Sequence, residues 1–230
     1  GIAVLWSAAL TWRHRRMNRT FGTDAFLLAL FLCAAIPLAM AINGPARIPA
    51  TAESAKENGI DVVFLATPPE VSMELAPGFL AAGARVIDLS ADFRLKSASI
   101  YKGFYAHDHP APELLAKSVY GLPEVYRAAI QGATLIASPG CYPTSILLPV
   151  LPLLRAGLIR PQGIIADSMS GVSGAGRKAE LDYLFCECNE SVRAYGVPKH
   201  RHLSEIEEQL ALAAGVPVTI QFTPHLIPVN

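Results

Sequence analysis

Two short apolar runs, Asp61-Val62-Val63-Phe64-Leu65-Ala66 and Ala84-Arg85-Val86-Ile87-Asp88-Leu89-Ser90, flank a helix-like stretch from Val71 to Ala82. That arrangement leaves the chain few ways to fold. Strand, helix and strand in this order make a βαβ unit, and only a crossover of such length lets the second strand run parallel to the first. The expected class is α/β. Ligands of a parallel sheet gather at the carboxyl ends of its strands, where Thr67, Pro68 and Ser90 fall.

A second constraint sits in Ser138-Pro139-Gly140-Cys141-Tyr142-Pro143-Thr144-Ser145. Pro139 and Gly140 supply a turn, and the apolar run from Ile146 reads as the helix that follows. Cys141 is thereby set over a helix N-terminus, where unpaired amides and the dipole favour an anion and so a nucleophilic thiolate. Such a thiol needs a proton shuttle. Lys199-His200-Arg201-His202-Leu203-Ser204-Glu205-Ile206-Glu207 offers two imidazoles, with Ser204 and Glu207 spaced as a capping box for a following helix. Between them, after the strand-like Gly163 to Ser168, runs Ser170-Gly171-Val172-Ser173-Gly174-Ala175-Gly176-Arg177-Lys178. Its glycines let a backbone approach phosphate or carboxamide oxygens, although the spacing is not that of the dinucleotide G-x-G-x-x-G.

These segments, together with Val86-Ile87-Asp88-Leu89-Ser90-Ala91-Asp92-Phe93-Arg94-Leu95, resemble the N-acetyl-gamma-glutamyl-phosphate reductase family of the semialdehyde dehydrogenase superfamily, from about Thr51 to Pro228 and in the family's order. The resemblance implies a Rossmann-like NADP-binding domain and an α+β domain that carries catalytic groups and mediates oligomerisation. It makes Cys141 the nucleophile that forms a thioester from an acyl phosphate, and His202 the acid/base, with His200 as the alternative. Arg94 stands at the position that takes the substrate phosphate, and Thr67, Pro68, Ser90, Ser173, Gly174 and Gly176 at cofactor-binding positions. Aspartyl or aminoadipyl phosphate reduction is the alternative within the class. A Cys–His acyl transferase or hydrolase would explain Cys141 and His202 but would leave the βαβ unit idle.

The expected organisation is an atypical segment over residues 1–50, a partial NADP-binding domain over 51–140 and a partial catalytic and dimerisation domain over 141–230. The first fifty residues depart from the family, since Gly1, Gly22 and Gly44 are isolated and make no cofactor turn. In its place stand Arg13-His14-Arg15-Arg16-Met17-Asn18-Arg19 and an uncharged run from Ala25 to Ile42, the pattern of a membrane anchor, of a core helix or of a degenerate start. An inactive, membrane-tethered relative is a further reading, and weak NADPH binding is expected. Val218 to Pro228 reads as a strand near a shortened end. Tyr101 to Tyr126 reads as a long irregular surface excursion, with no ligand spacing that would make His107 and His109 a metal site. Nineteen basic against nineteen acidic side chains give no field for nucleic acid. Cys33, Cys141, Cys186 and Cys188 form no disulfide framework, which favours a reducing compartment and a cytoplasmic protein, and a homo-oligomer is expected from the family.

Overall fold

Short apolar runs build the first sheet as the sequence predicts. The computed structural model describes residues 50–68, 70–176 and 179–229; the basic cluster at 13–19, the run at 25–42, and Arg177 and Lys178 of the glycine-rich loop lie outside them. Helix α1 (Ala52–Glu57) precedes strand β1 (Val62–Leu65), helix α2 (Val71–Ala81) and strand β2 (Arg85–Asp88). β1 and β2 are parallel, from Val62 opposite Arg85 to Leu65 opposite Asp88. Met73, Ala76 and Phe79 recur at helical spacing on α2 and bury a stripe against Leu65 and Val86. Strands β3 (Val119–Tyr120) and β4 (Leu135–Ala137) complete a parallel sheet in the order β1-β2-β4-β3.

The stretch from Tyr101 to Tyr126 is not the irregular surface excursion that its sequence suggests. It contains the end of α3 (Ala98–Tyr105), α4 (Pro112–Lys117), β3 and the start of α5 (Pro123–Gly132), with Tyr101 and Leu115 fully buried. Pro112 and Pro123 open their helices instead of breaking them, because a first-turn residue has no intrahelical acceptor for its N–H. Tyr101, His109 and Tyr120 are buried, and Tyr105, His107 and Tyr126 are half-buried. Tyr101 stacks on Tyr105 at 4.5 Å between ring centroids, meets the edges of His107 and His109, and donates to Asp92 at 3.3 Å.

The second half packs two helices on a mixed sheet. Helix α6 (Cys141–Arg155) leads to β5 (Ile164–Gly171), two single-turn 3-10 helices (Val172–Ala175 and Leu181–Tyr183), and α7 (Phe185–Cys188). Strand β6 (Arg193–Ala194), helix α8 (His202–Ala214) and strand β7 (Ile220–Ile227) follow. β7 lies between parallel β5 and antiparallel β6. Ile220 and Phe222 alternate inward from β7 to meet Tyr142, Ile146, Leu147 and Leu151 of α6 and Ile206 and Leu210 of α8 in a second core. Pro149 and Pro152 sit on the exposed face of α6, where water can take the carbonyls that their missing amides release.

The start of α8 corrects another expectation. The helix begins at His202, not after a Ser204 cap, because the His202 amide finds an acceptor in His200 Nδ1 at 3.1 Å. Ser204 Oγ donates back to the Arg201 carbonyl, and Glu207 accepts from the Ile220 amide at 3.2 Å, tying α8 to β7. Among the described residues no helix is long and apolar enough to cross a membrane.

Candidate active site

The thiol lies off the carboxyl end of the parallel sheet. β4 ends at Ala137, and Ser138 donates its amide to the Asp88 carbonyl at 2.8 Å, while Gly121 donates to the Ala137 carbonyl at 2.8 Å. The chain leaving β4 is thus gripped by the ends of β2 and β3. Cys141 is the first residue of the 15-residue α6, with an exposed side chain, and Gly140 precedes it in ordinary extended backbone at φ −67°.

What fixes this turn is a carboxylate from the opposite helix. Glu205 is 3% exposed, and its Oε1 accepts from the Gly140 amide at 3.0 Å and from the Tyr120 hydroxyl at 2.6 Å. Its Oε2 takes Arg94 at 3.3 Å. Burial raises the Glu205 carboxyl above its ordinary value, opposed by the Arg94 charge and by the hydrogen bonds from Tyr120 and Gly140. Burial and the facing carboxylate together push the Tyr120 hydroxyl far above its usual range. Arg94, 7% exposed, spends its other nitrogens on carbonyls, Nε to Ser138 at 2.7 Å and Nη2 to Leu89 at 3.2 Å.

His202 stands three residues before Glu205, one helical turn away on the same buried side of α8. A Cβ added to Gly140 would lie 2.6 Å from His202 Nε2 and 3.0 Å from Arg94 Nη1, so the imidazole and guanidinium fill the space that a side chain at position 140 would need. Only glycine lets the imidazole reach the residue next to the thiol. Burial first, then the neighbouring His200, Arg94 and Arg201, push His202 down to about 3. Burial and Arg201 hold His200 at about 4. Both rings are therefore neutral at neutral pH, and His200 Nδ1 is committed as an acceptor. His202 Nδ1 is buried with no hydrogen-bond partner among the described residues.

Cys141, His200 and His202 open onto a cavity of about 290 Å³, also lined by Tyr142, Gly174, Tyr195 and Arg201. Tyr195 donates to the Tyr142 hydroxyl at 3.0 Å, and Tyr142 to the His225 carbonyl at 3.2 Å, forming a wall of ordered hydroxyls. Arg193 and Asp182, at the same cavity, neutralise each other through contacts of 3.1 and 2.9 Å. Gly174 faces Ser170, whose hydroxyl would collide with any Cβ there.

The fold brings Cys141, His202, His200, Arg94 and Gly174 together. Ser173 and Gly176 flank Gly174 in an exposed turn, Gly176 with φ +79°. Thr67 and Pro68 follow β1, with Thr67 Oγ1 2.7 Å from Ser72 Oγ. Ser90 follows β2 but is 7% exposed, and its hydroxyl donates to Asp88 at 2.9 Å and accepts from the Asp92 amide at 3.2 Å. Glu205, Tyr120 and Tyr195 emerge only in three dimensions. The available sequence signal was the position of Glu205 three residues after His202 and directly before the buried Ile206.

Residues 39–133 match the family model described as semialdehyde dehydrogenase, NAD binding domain, and residues 141–230 that described as semialdehyde dehydrogenase, dimerisation domain. An N-acetyl-gamma-glutamyl-phosphate reductase from Akkermansia muciniphila is 58% identical over 178 residues, 77% of this chain and 51% of the relative. One from Halorhodospira halophila is 55% identical over 170 residues, 74% and 49% of the two chains. The chain thus spans about half the length of the curated relatives it matches. A solved aspartate semialdehyde dehydrogenase II from Vibrio cholerae is 19% identical with a TM-score of 0.49, over 73% of this chain and 52% of that one. With two matched domains in sequence and close relatives across three quarters of its length, the chain belongs to the N-acetyl-gamma-glutamyl-phosphate reductase family of semialdehyde dehydrogenases.

Proposed function

We propose that the chain carries the catalytic apparatus of an NADPH-dependent reductase. The reaction converts N-acetylglutamyl 5-phosphate to N-acetylglutamate 5-semialdehyde and releases phosphate, a step of arginine biosynthesis. The observation that carries this reading is the placement of neutral His202 Nε2 against Gly140, beside an exposed thiol on a helix N-terminus. His202 takes the thiol proton, and the thiolate attacks the acyl carbon. A C–S bond forms, the C–O bond to phosphate breaks, and the departing phosphate leaves with the electron pair and receives that proton from His202. NADPH, when bound, supplies the hydride that reduces the thioester carbonyl. The reduced carbon then expels the thiolate, the electron pair of the C–S bond returning to sulfur as the aldehyde is released.

The ends of β1 and β2 suit such a cofactor. Pro68 and Leu89 are open to solvent there, Thr67 presents a hydroxyl, and the exposed Ser173–Gly176 turn offers backbone amides near the thiol cavity. We assign Thr67, Pro68, Ser173, Gly174 and Gly176 to it, with Ser90 shaping the β2 turn. The division of labour is a cofactor half over 51–140 and a catalytic half over 141–230. A second copy would cover the open face of β5, where Ile165 and Met169 are 64% and 67% exposed. Free thiols at Cys141, Cys186 and Cys188 suit a reducing cytoplasm.

The test is oxidation of the semialdehyde by NADP in the intact protein, followed with and without inorganic phosphate. Activity should require phosphate and vanish in Cys141→Ala. A Cys141→Ala protein that kept phosphate-dependent turnover would refute the covalent role, and oxidation indifferent to phosphate would refute the acyl-phosphate reading.

A further inference from the structure

A backbone outlier in the cofactor half is held by a carboxylate that the proposed chemistry does not use. Glu70, the residue before α2, has φ 76° and ψ −41°, outside even the small left-handed region open to a residue with a Cβ. Such a conformation persists only where its surroundings impose it. The imposing group is Asp92, fully buried beyond the end of β2, whose Oδ2 accepts from the Glu70 amide at 3.0 Å. Burial and the nearby Asp88 raise the Asp92 carboxyl, and hydrogen bonds from the Glu70 and Met73 amides oppose them. Glu70 itself gives α2 no side-chain cap, so Asp92 supplies the cap from another strand end. The turn is tied a second time where Thr67 Oγ1 lies 2.7 Å from the Oγ of Ser72, a buried residue in the first turn of α2. On the β2 side, the Ser90 hydroxyl accepts from the Asp92 amide at 3.2 Å and donates to Asp88 at 2.9 Å.

We infer that Asp92 is a positioning residue of the cofactor site, holding the turn between β1 and α2 in the shape that presents Thr67 and Pro68. The inference rests on the NADPH reading above and deepens it. Asp92 is buried and acts only through the backbone of Glu70 and the start of α2. It joins the ends of β1 and β2, the two strand ends assigned to the cofactor. Without it, nothing opposes the strain at Glu70, and the turn relaxes towards ordinary backbone. Thr67 and Pro68 then spend only a fraction of the time in the binding shape, and the apparent affinity falls by that fraction. The strain is what makes this role separable from plain packing. A glycine at position 70 adopts φ 76° without cost, so it removes the turn's need for Asp92 while leaving every buried side chain in place.

The experiment is a fluorescence titration with NADPH of the intact protein and its Asp92→Ala, Asp92→Asn and Tyr101→Phe variants, beside alkylation of Cys141 by iodoacetamide without cofactor. Loss of the tie predicts a rise in the NADPH Kd of about tenfold in Asp92→Ala, a smaller rise in Asp92→Asn, and a Cys141 alkylation rate changed by less than about twofold. Asp92→Asn keeps the volume and relieves the repulsion from Asp88, so it folds even where the alanine variant does not. Tyr101→Phe removes the hydroxyl that donates to the other oxygen of the same carboxylate. It should lower the melting temperature and leave the NADPH Kd alone, because the turn stays tied. Adding Glu70→Gly to either Asp92 variant should restore most of the lost affinity. An unaltered NADPH Kd in both Asp92 variants overturns the inference while leaving the reductase reading intact. So does an equal rise in Tyr101→Phe, or a loss that Glu70→Gly does not repair, since loosened packing would then account for it. A wild type that neither binds NADPH nor oxidises the semialdehyde with NADP overturns the reductase reading itself, and this assignment with it.

Discussion

Replacing Gly140 by alanine isolates the contact on which the proposed chemistry depends. The backbone at this position accepts alanine without strain, since φ is −67° and ψ 162°. The whole cost is therefore steric. The new Cβ would stand 2.6 Å from His202 Nε2, 2.8 Å from Cε1 and 3.0 Å from Arg94 Nη1. Non-bonded heavy atoms settle at about 3.5 Å, so roughly 1 Å must open between the thiol turn and α8. The turn is tied to Glu205 and Arg94, and His202 is enclosed by Tyr142 and His200 with ring centroids at 6.0 and 4.9 Å. Neither side can yield that distance cheaply. Overpacking of this kind costs about 1–3 kcal/mol of stability, and a displacement of about 1 Å at a reacting pair costs on the order of 10²-fold in rate. The expected result is a Gly140→Ala protein that melts modestly lower, binds cofactor normally, and loses about two powers of ten in kcat. Cys141 alkylation should also lose its dependence on His202, measured by comparing Gly140→Ala with Gly140→Ala/His202→Asn. Near-wild-type kcat in Gly140→Ala would refute the reasoning, because it would mean that His202 need not approach the residue beside the thiol.

Other consequences can be checked with simpler measurements. Glu205→Gln leaves the Arg94 guanidinium buried without its counter-charge and should cost about 3–5 kcal/mol in chemical denaturation, with a loss under about 1 kcal/mol contradicting the bridging role. His202 and His200 titrate near 3 and 4 in the folded chain against 6.5 ordinarily, so below pH 6.5 the unfolded chain binds protons that the folded chain refuses. Stability should fall as pH drops from 6.5 towards 3; the raised Asp92, Glu205, Glu207 and Glu208 carboxyls work the other way, so the His contribution is read as the difference between wild type and His202→Asn. A pH slope unchanged by that substitution would dismiss the buried neutral imidazole. Gly174→Ala should push Ser170 into the cavity and raise the KM for NADP by about tenfold, and unchanged kinetics would place the glycine-rich turn away from the cofactor.

How much of this was legible in the sequence follows from the range of the forces involved. The βαβ unit and the thiol turn are local: short apolar runs on either side of a helix-like stretch mark β1 and β2, and Pro139-Gly140-Cys141 announces a turn before an apolar helix. His202 could be nominated from the sequence and its resemblance. Why it is neutral could not, because burial and the charges of Arg94, His200 and Arg201 arise only on folding. Tyr101, His109 and Leu115 lay among prolines and polar aromatics that read as loop, and their burial depends on packing beside Phe93, itself fully buried. Glu205 is the sharpest case. An acid in the first turn of a helix is ordinarily a solvated partner of the dipole. Here the same residue is buried, because three groups remote in sequence, Arg94, Tyr120 and the Gly140 amide, arrive from the ends of β2, β3 and β4 and satisfy it together. One carboxylate therefore links the parallel sheet, the thiol turn and the helix that carries His202, so that the placement of His202 beside Gly140 is held by groups from both cores.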